Sequence, residues 1–275
     1  MPALFAVPLL LLQVGLDPNF GGIPGIPDEL RNRPPRTSEE AAPPPAPSRL
    51  TQCLQRSVGD AEGALTAARS WRGTARGTER VEAAQCEGFA LIGLSRFAEA
   101  QSVFASASSE VRDDPERAAR LGGMAANAAL AAGDATSALG LGTAALSQAR
   151  VAQDADLIAG IARDRARSLV ALDRLDEAAT ALAEARSAAP DNAEGWLLSA
   201  TLSRRTDDLA TAASQIAQAA RLAPRDPEVG LEAGVIAALA GRDDEAAKSF
   251  RSVIEVAPDT PFATQAQTYL EQLTQ

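Results

Sequence analysis

From residue 49 to the C-terminus, Ala, Leu, Glu, Arg and Gln recur at helical spacing, and Val, Ile, Thr and aromatic residues seldom gather into the alternating runs of a half-buried strand. The pattern predicts an all-α structure over 49–275. Two different patterns precede it. Residues 1–16, MPALFAVPLLLLQVGL, hold an apolar run the length of a signal-peptide core and shorter than the roughly 20 residues a spanning helix needs. Export is the expectation, although no Lys or Arg precedes the run and no clear small-x-small cleavage site follows it; an apolar tail or a misplaced start is the alternative. Residues 17–48 are dense in Pro and Gly without a period, so they read as a linker, with 34–47 locally in polyproline II.

The helical region repeats. Residues 191–224, DNAEGWLLSATLSRRTDDLATAASQIAQAARLAP, are followed by RDPEVGLEAGVIAALAGRDDEAAKSFRSVIEVAP, and Pro190, Pro224 and Pro258 stand 34 residues apart. On these residues the chain resembles the tetratricopeptide repeat family. Trp196, Ala200, Ala212, Ile216 and Pro224 take the places of that family's Trp, Gly, Ala, Phe and Pro; Gly234, Ala246, Phe250 and Pro258 do so in the next unit, and Ala166, Ala178, Leu182 and Pro190 in the one before. The resemblance implies a right-handed α-solenoid of helical hairpins with a C-terminal capping helix, its best repeats at 159–192, 193–226 and 227–260 and its cap at 261–275. Six hairpins and a cap are expected.

An alanine marking each second helix is read at Ala61, Ala100, Ala138, Ala178, Ala212 and Ala246. It faces a small residue of the first helix, Gly88, Ala126, Ala166, Ala200 or Gly234, so that paired helices approach closely. Phe104, Leu182, Ile216, Phe250 and Trp196 are expected to fill the core. Gly133-Asp134 and the stretch from Gly241 to Asp244 read as turns in which Gly ends one helix and Asp caps the next.

Composition narrows the function. The chain carries a formal net charge of -10, Lys248 is its only lysine, and there is no histidine. The acidic balance argues against a nucleic-acid binder, and the missing imidazole removes the commonest general base and zinc ligand. Neither cofactor nor metal is expected, and the chain reads as non-enzymatic. The pairs Asp113-Asp114, Asp207-Asp208 and Asp243-Asp244 are adjacent in sequence at helix starts, where capping explains them better than shared acid–base chemistry. Cys53 and Cys86 are the only thiols. They could close a 33-residue loop worth about 3 to 4 kcal/mol in the chain-entropy model, or remain free in their helices.

Helical-wheel counting places Gln85, Phe89, Arg120, Asn127, Arg163, Arg167, Glu194, Thr201, Arg204 and Arg205 on the groove side. Arg163, Arg167, Arg204 and Arg205 either form a basic patch for an acidic peptide or are solvated surface arginines. The family's carboxylate clamp, with its Lys and Asn pattern, is absent. The expectation is a scaffold or adaptor for a protein or peptide partner, exported to a periplasm or similar compartment, with no nucleic acid and no membrane span; a cytoplasmic adaptor and a self-associating envelope component are the alternatives.

Overall fold

The computed structural model describes residues 46–273. The expectations for 1–16 and for 17–45 lie outside the described residues. Those described hold thirteen α-helices and no strand. They are α1 (Arg49–Gly59), α2 (Ala61–Thr74), α3 (Gly77–Gly93), α4 (Phe97–Glu110), α5 (Pro115–Ala131), α6 (Ala135–Ala152), α7 (Ala155–Ala171), α8 (Leu175–Ala188), α9 (Ala193–Arg205), α10 (Leu209–Leu222), α11 (Pro227–Leu239), α12 (Asp243–Val256) and α13 (Pro261–Leu273). Each helix packs on its neighbours in sequence, which makes six hairpins and a closing helix in an all-α solenoid. Along the stack α5 meets α7, α7 meets α9, α9 meets α11 and α11 meets α13, whereas no comparable contact joins α6, α8, α10 and α12. The first helices therefore line the inner, concave side.

One turn geometry joins the two helices of every hairpin from the second onward. Ser95, Gly133, Asp173, Asp207 and Gly241 occupy the same place in it, all with φ between 58° and 83°. In each, the next amide reaches back to a carbonyl of the preceding helix: Arg96 to Leu91, Asp134 to Ala129, Arg174 to Leu169, Asp208 to Ser203 and Arg242 to Ala237, at 2.9 Å. This closes the last helical turn and satisfies carbonyls that would otherwise lack donors. Only two of the five positions hold glycine. At the other three, Ser and Asp accept a left-handed backbone that costs most side chains more.

The residue that opens the second helix has two solutions. Asp134 and Asp208 accept the amides of Ser137 and Thr211 at 2.9 and 3.0 Å. Arg96, Arg174 and Arg242 make no such cap and instead pair with Glu99, Glu177 and Glu245 one turn on, at 2.6, 2.6 and 3.0 Å. The carboxylate sits at the positive end of the helix in both cases. Asp243 and Asp244 thus lie in the first turn of α12, not at its cap as the sequence pattern predicts, because Arg242 occupies the cap position.

The core is built from reciprocal sizes. Gly88 faces Phe104, Ala166 pairs with Leu182, Ala200 with Ile216, and Gly234 faces Phe250, at one constant separation along the chain. A Cβ on Gly88 or Gly234 would stand 2.3 Å from the facing phenylalanine ring. Glycine is required there by space, not by backbone conformation. The third hairpin breaks the rule: Ala126 and Gly142 are both small, and the Arg165 stem from α7 lies over Gly142, 3.0 Å from where a Cβ would be. Around these pairs the repeated alanine of the second helix, Ala64, Ala100, Ala138, Ala178, Ala212 and Ala246, is sealed from solvent.

Ala64 and not Ala61 carries that role in α2. The single residue Asp60 joins α1 to α2, so the first hairpin lacks the common turn and the register read from Ala61 is off by one helical turn. Trp196 is also displaced from expectation: it is half-buried, with its indole N–H donating to the Pro190 carbonyl at 2.8 Å and the Arg186 guanidinium over its ring at 5.0 Å. Trp71, by contrast, is a core residue, under the Arg49 guanidinium. The size rule predicts that Gly234→Ala alone destabilises the fold by about 1 to 3 kcal/mol through overpacking. Gly234→Ala with Phe250→Leu, which recreates the Ala166–Leu182 pairing, should recover most of that loss in a urea unfolding curve.

Candidate partner-binding site

Between α7, α8 and α9 the inner face opens into a pocket of about 220 Å³. Its walls are two helical stripes, Arg163, Ala166, Arg167 and Val170 on α7 and Leu198, Thr201, Leu202 and Arg205 on α9, with Leu182 of α8 at the floor. Both stripes follow the spacing of one helix face, so each brings apolar residues and at least one arginine to the same wall. The pocket is smaller than the roughly 300–1,000 Å³ of a small-molecule site and suits one or two side chains of a peptide.

The arginines here are not equivalent. Arg163 reaches Glu194 at 3.1 Å, and Arg167 is held between Glu194 at 2.5 Å and Asp164 at 2.7 Å. Burial works against the Arg167 charge, but the Glu194 and Asp164 carboxylates outweigh it and raise its pKa further. Arg163 keeps a buried Nε without a hydrogen-bond partner among the described residues. Arg205 is exposed and meets no carboxylate among them. Arg204 turns away and forks onto Glu232 of α11, at 2.7 and 3.2 Å. Of the four arginines, Arg163, Arg167 and Arg204 are paired with acids, those of the next first helix being ones that wheel counting cannot see, and Arg205 stays free of them. Burial, then the like charges of Asp226 and Glu194, push the nearby Glu228 carboxyl above its ordinary value, with Arg167 opposing them.

A second pocket follows on the same inner face between α5 and α7, about 450 Å³ in volume. Met124, Leu157 and Ile161 give it apolar surface, and Asp154, Asp156 and Asp164 give it acid. Two expected groove residues, Arg120 and Asn127, line it, but both are engaged: Arg120 with Glu116 and Asp154, Asn127 with Asp164 at 2.9 Å. Asp156 has no such partner among the described residues and is exposed. Gln85 and Phe89 are both half-buried, and the Phe89 ring packs edge-on against the core residue Phe104 at 5.6 Å. Of the expected set, Arg163, Arg167, Thr201 and Arg205 come together around one pocket. Val170, Leu198 and Leu202 complete its walls and escape the wheel count, though the spacing of 198, 201, 202 and 205 signals a single face.

At the N-terminal end, Cys53 on α1 and Cys86 on α3 stand with Cα atoms 6.0 Å apart and sulfurs at bonding distance, within reach of a disulfide. Alongside, the buried Glu87 takes Arg69 at 3.1 Å and Arg72 at 3.0 Å. Among the described residues no cluster of three or more His, Cys, Asp and Glu is placed to hold a metal, and no helix is long and apolar enough to cross a membrane.

No family model matches the sequence, and no curated protein matches it. Solved structures do. BtubC from P. vanneervenii superposes with a TM-score of 0.62 at 16% identity, over 74% of this chain and 90% of that one. TTC0263, a thermophilic TPR protein of Thermus thermophilus, gives 0.52 at 22% identity over 68% and 95%. YrrB, described as a TPR protein with an unusual peptide-binding site, gives 0.50 at 20% identity over 76% and 99%. The chain has the fold of tetratricopeptide repeat proteins.

Electrostatics at the helix starts set how stability should respond to pH. Asp60 is held below the ordinary 3.8 by its bond to Arg56, Asp134 by Ser137 and Asp208 by Thr211; Arg96 and Arg174 hold Glu99 and Glu177 below 4.5. A depressed carboxyl stabilises the fold above its unfolded pKa, and the contribution disappears as pH falls through the lower folded value. With no histidine in the chain, the melting temperature should be flat from about pH 6 to 8 and fall only below about pH 4. Thermal melts across that range check it; a transition centred near pH 6 would contradict the assignment.

Proposed function

We propose that the chain is a non-enzymatic scaffold that holds a segment of a partner protein on the concave face of its third to fifth hairpins. The observation that carries this reading is the apolar pocket between α7 and α9, uncovered on the inner face and rimmed by arginine. The peptide-binding site named for YrrB, a structure of the same fold, supports it. No convergent set of acid, base and nucleophile lines the same space: no histidine is present, and the carboxylates beside this pocket, Asp164 and Glu194, are held as ion-pair partners. A photo-crosslinking residue at Thr201 should trap a polypeptide in the source cell, and Leu198→Glu should abolish the adduct. The same residue at Ser147, exposed on α6, should trap none. Equal labelling from both positions would overturn the reading.

The compartment is part of the proposal. α1 has eleven residues, none of them buried, so its own packing anchors it weakly. A Cys53–Cys86 bond to the buried sulfur on α3 supplies the missing anchor, and such bonds persist in oxidising compartments. The apolar run of residues 1–16 is consistent with delivery there. Fractionation with thiol alkylation tests both points. An exported species should show no alkylatable thiol until reduced, and reduction should speed tryptic cleavage at Arg56. An intact, reduced, cytosolic species would remove export and leave an adaptor of the cytosol.

A further inference from the structure

The two pockets on the inner face are adjacent and opposite in charge. Between α5 and α7 the apolar wall of Leu157 and Ile161 is flanked by Asp154, Asp156 and Asp164, and of these Asp156 is unpaired among the described residues. Between α7 and α9 the wall of Val170, Leu198 and Leu202 is flanked by Arg163, Arg167 and Arg205, and of these Arg205 is likewise unpaired among the described residues. Arg163 adds a buried Nε–H that nothing among the described residues accepts. Helix α7 is the shared wall. Pairing among the other charges leaves one free anion in the first pocket and one free cation in the second, so the uncompensated charge of these two pockets is a dipole that runs obliquely over the inner face from the first turn of α7 to the last turn of α9.

We propose that this face reads an extended internal segment of a partner protein that carries a basic side chain for the first pocket and an aliphatic side chain next to an acidic one for the second. The aliphatic group would enter between Val170, Leu198 and Leu202, its acidic neighbour would meet Arg205, and the basic group would meet Asp156. Spacing follows from the scaffold. Neighbouring helices in such a stack lie about 8–10 Å apart, Asp156 in the first turn of α7 precedes Arg167 in the middle of the second pocket by about 16 Å along the helix axis, and an extended chain advances about 3.3 Å per residue, so the two anchors are about five to six residues apart. Val170, Leu182, Leu198 and Leu202 line the second pocket with aliphatic surface that an aliphatic anchor matches, and the free charges at either side set the order of the segment on the face. This inference rests on the scaffold reading and sharpens it into a pattern of residues.

A display library of random peptides about twelve residues long, selected on the full chain, tests it. The expected consensus is Lys or Arg about five to six positions from Leu, Ile or Val, with Asp or Glu beside the aliphatic residue. Arg205→Glu should weaken the selected peptides about tenfold, and exchanging their acidic residue for lysine should restore binding to that variant. Asp156→Lys should act in the same way on the basic position. Both substituted residues are exposed, so an unchanged thermal melt will show the fold intact. Peptides that share a different consensus, or that bind Arg205→Glu as well as the unsubstituted chain, would overturn this inference and leave the scaffold reading standing. No enrichment over a Leu198→Glu background would overturn both.

Discussion

Four of the six hairpins depend on the fit between one small position in the first helix and one larger position in the second. A helix pair can close to van der Waals contact only if the volume missing from one side is supplied by the other. Gly88 and Gly234 leave room for the rings of Phe104 and Phe250, while Ala166 and Ala200 leave room for the smaller Leu182 and Ile216. Aromatics make up only 4% of the residues, and two of them are spent at these positions. The third hairpin, with Ala126 against Gly142, has nothing to interpose and takes the Arg165 stem from the next unit instead.

From that local fit the inner face follows. First helices approach one another along the stack, and their polar residues meet across the unit boundary: Asn127 with Asp164, Arg163 and Arg167 with Glu194, and Arg204 with Glu232. Most of these pairs are partly exposed and contribute little stability singly, about 0 to 1 kcal/mol each. Their larger effect is on which charges of the inner face stay uncompensated. They consume charge along the groove and leave Asp156 and Arg205 as the free ionic groups beside two apolar pockets.

The repeat is legible because it is written in sizes and prolines. The 34-residue recurrence of Pro190, Pro224 and Pro258, two residues past the ends of α8, α10 and α12, locates three hairpins and the closing helix α13. Legibility fails where structure does not need a distinctive residue. Ser95, Asp173 and Asp207 make the same left-handed turn as Gly133 and Gly241 but do not announce it, and Asp60 joins α1 to α2 so tightly that the pattern points to Ala61 where Ala64 is the packing residue. The site is half legible. Helical counting puts Arg163, Arg167, Thr201 and Arg205 on one face, yet it cannot foresee that Arg204 swings to Glu232 or that Phe89 lies on Phe104, since both depend on neighbours distant in sequence.

The coupling of sizes within a hairpin also bears on how such a chain can be inherited in pieces. A crossover between the two helices of unlike units would join a glycine to a leucine, leaving a void, or an alanine to a phenylalanine, forcing a clash. A crossover in the loops after Ala188 or Leu222 separates no such pair. Whole hairpins with a complete size pair are therefore the segments that recombination could exchange without separating that pair, whereas the third, which borrows the Arg165 stem of α7, would have to move together with the fourth.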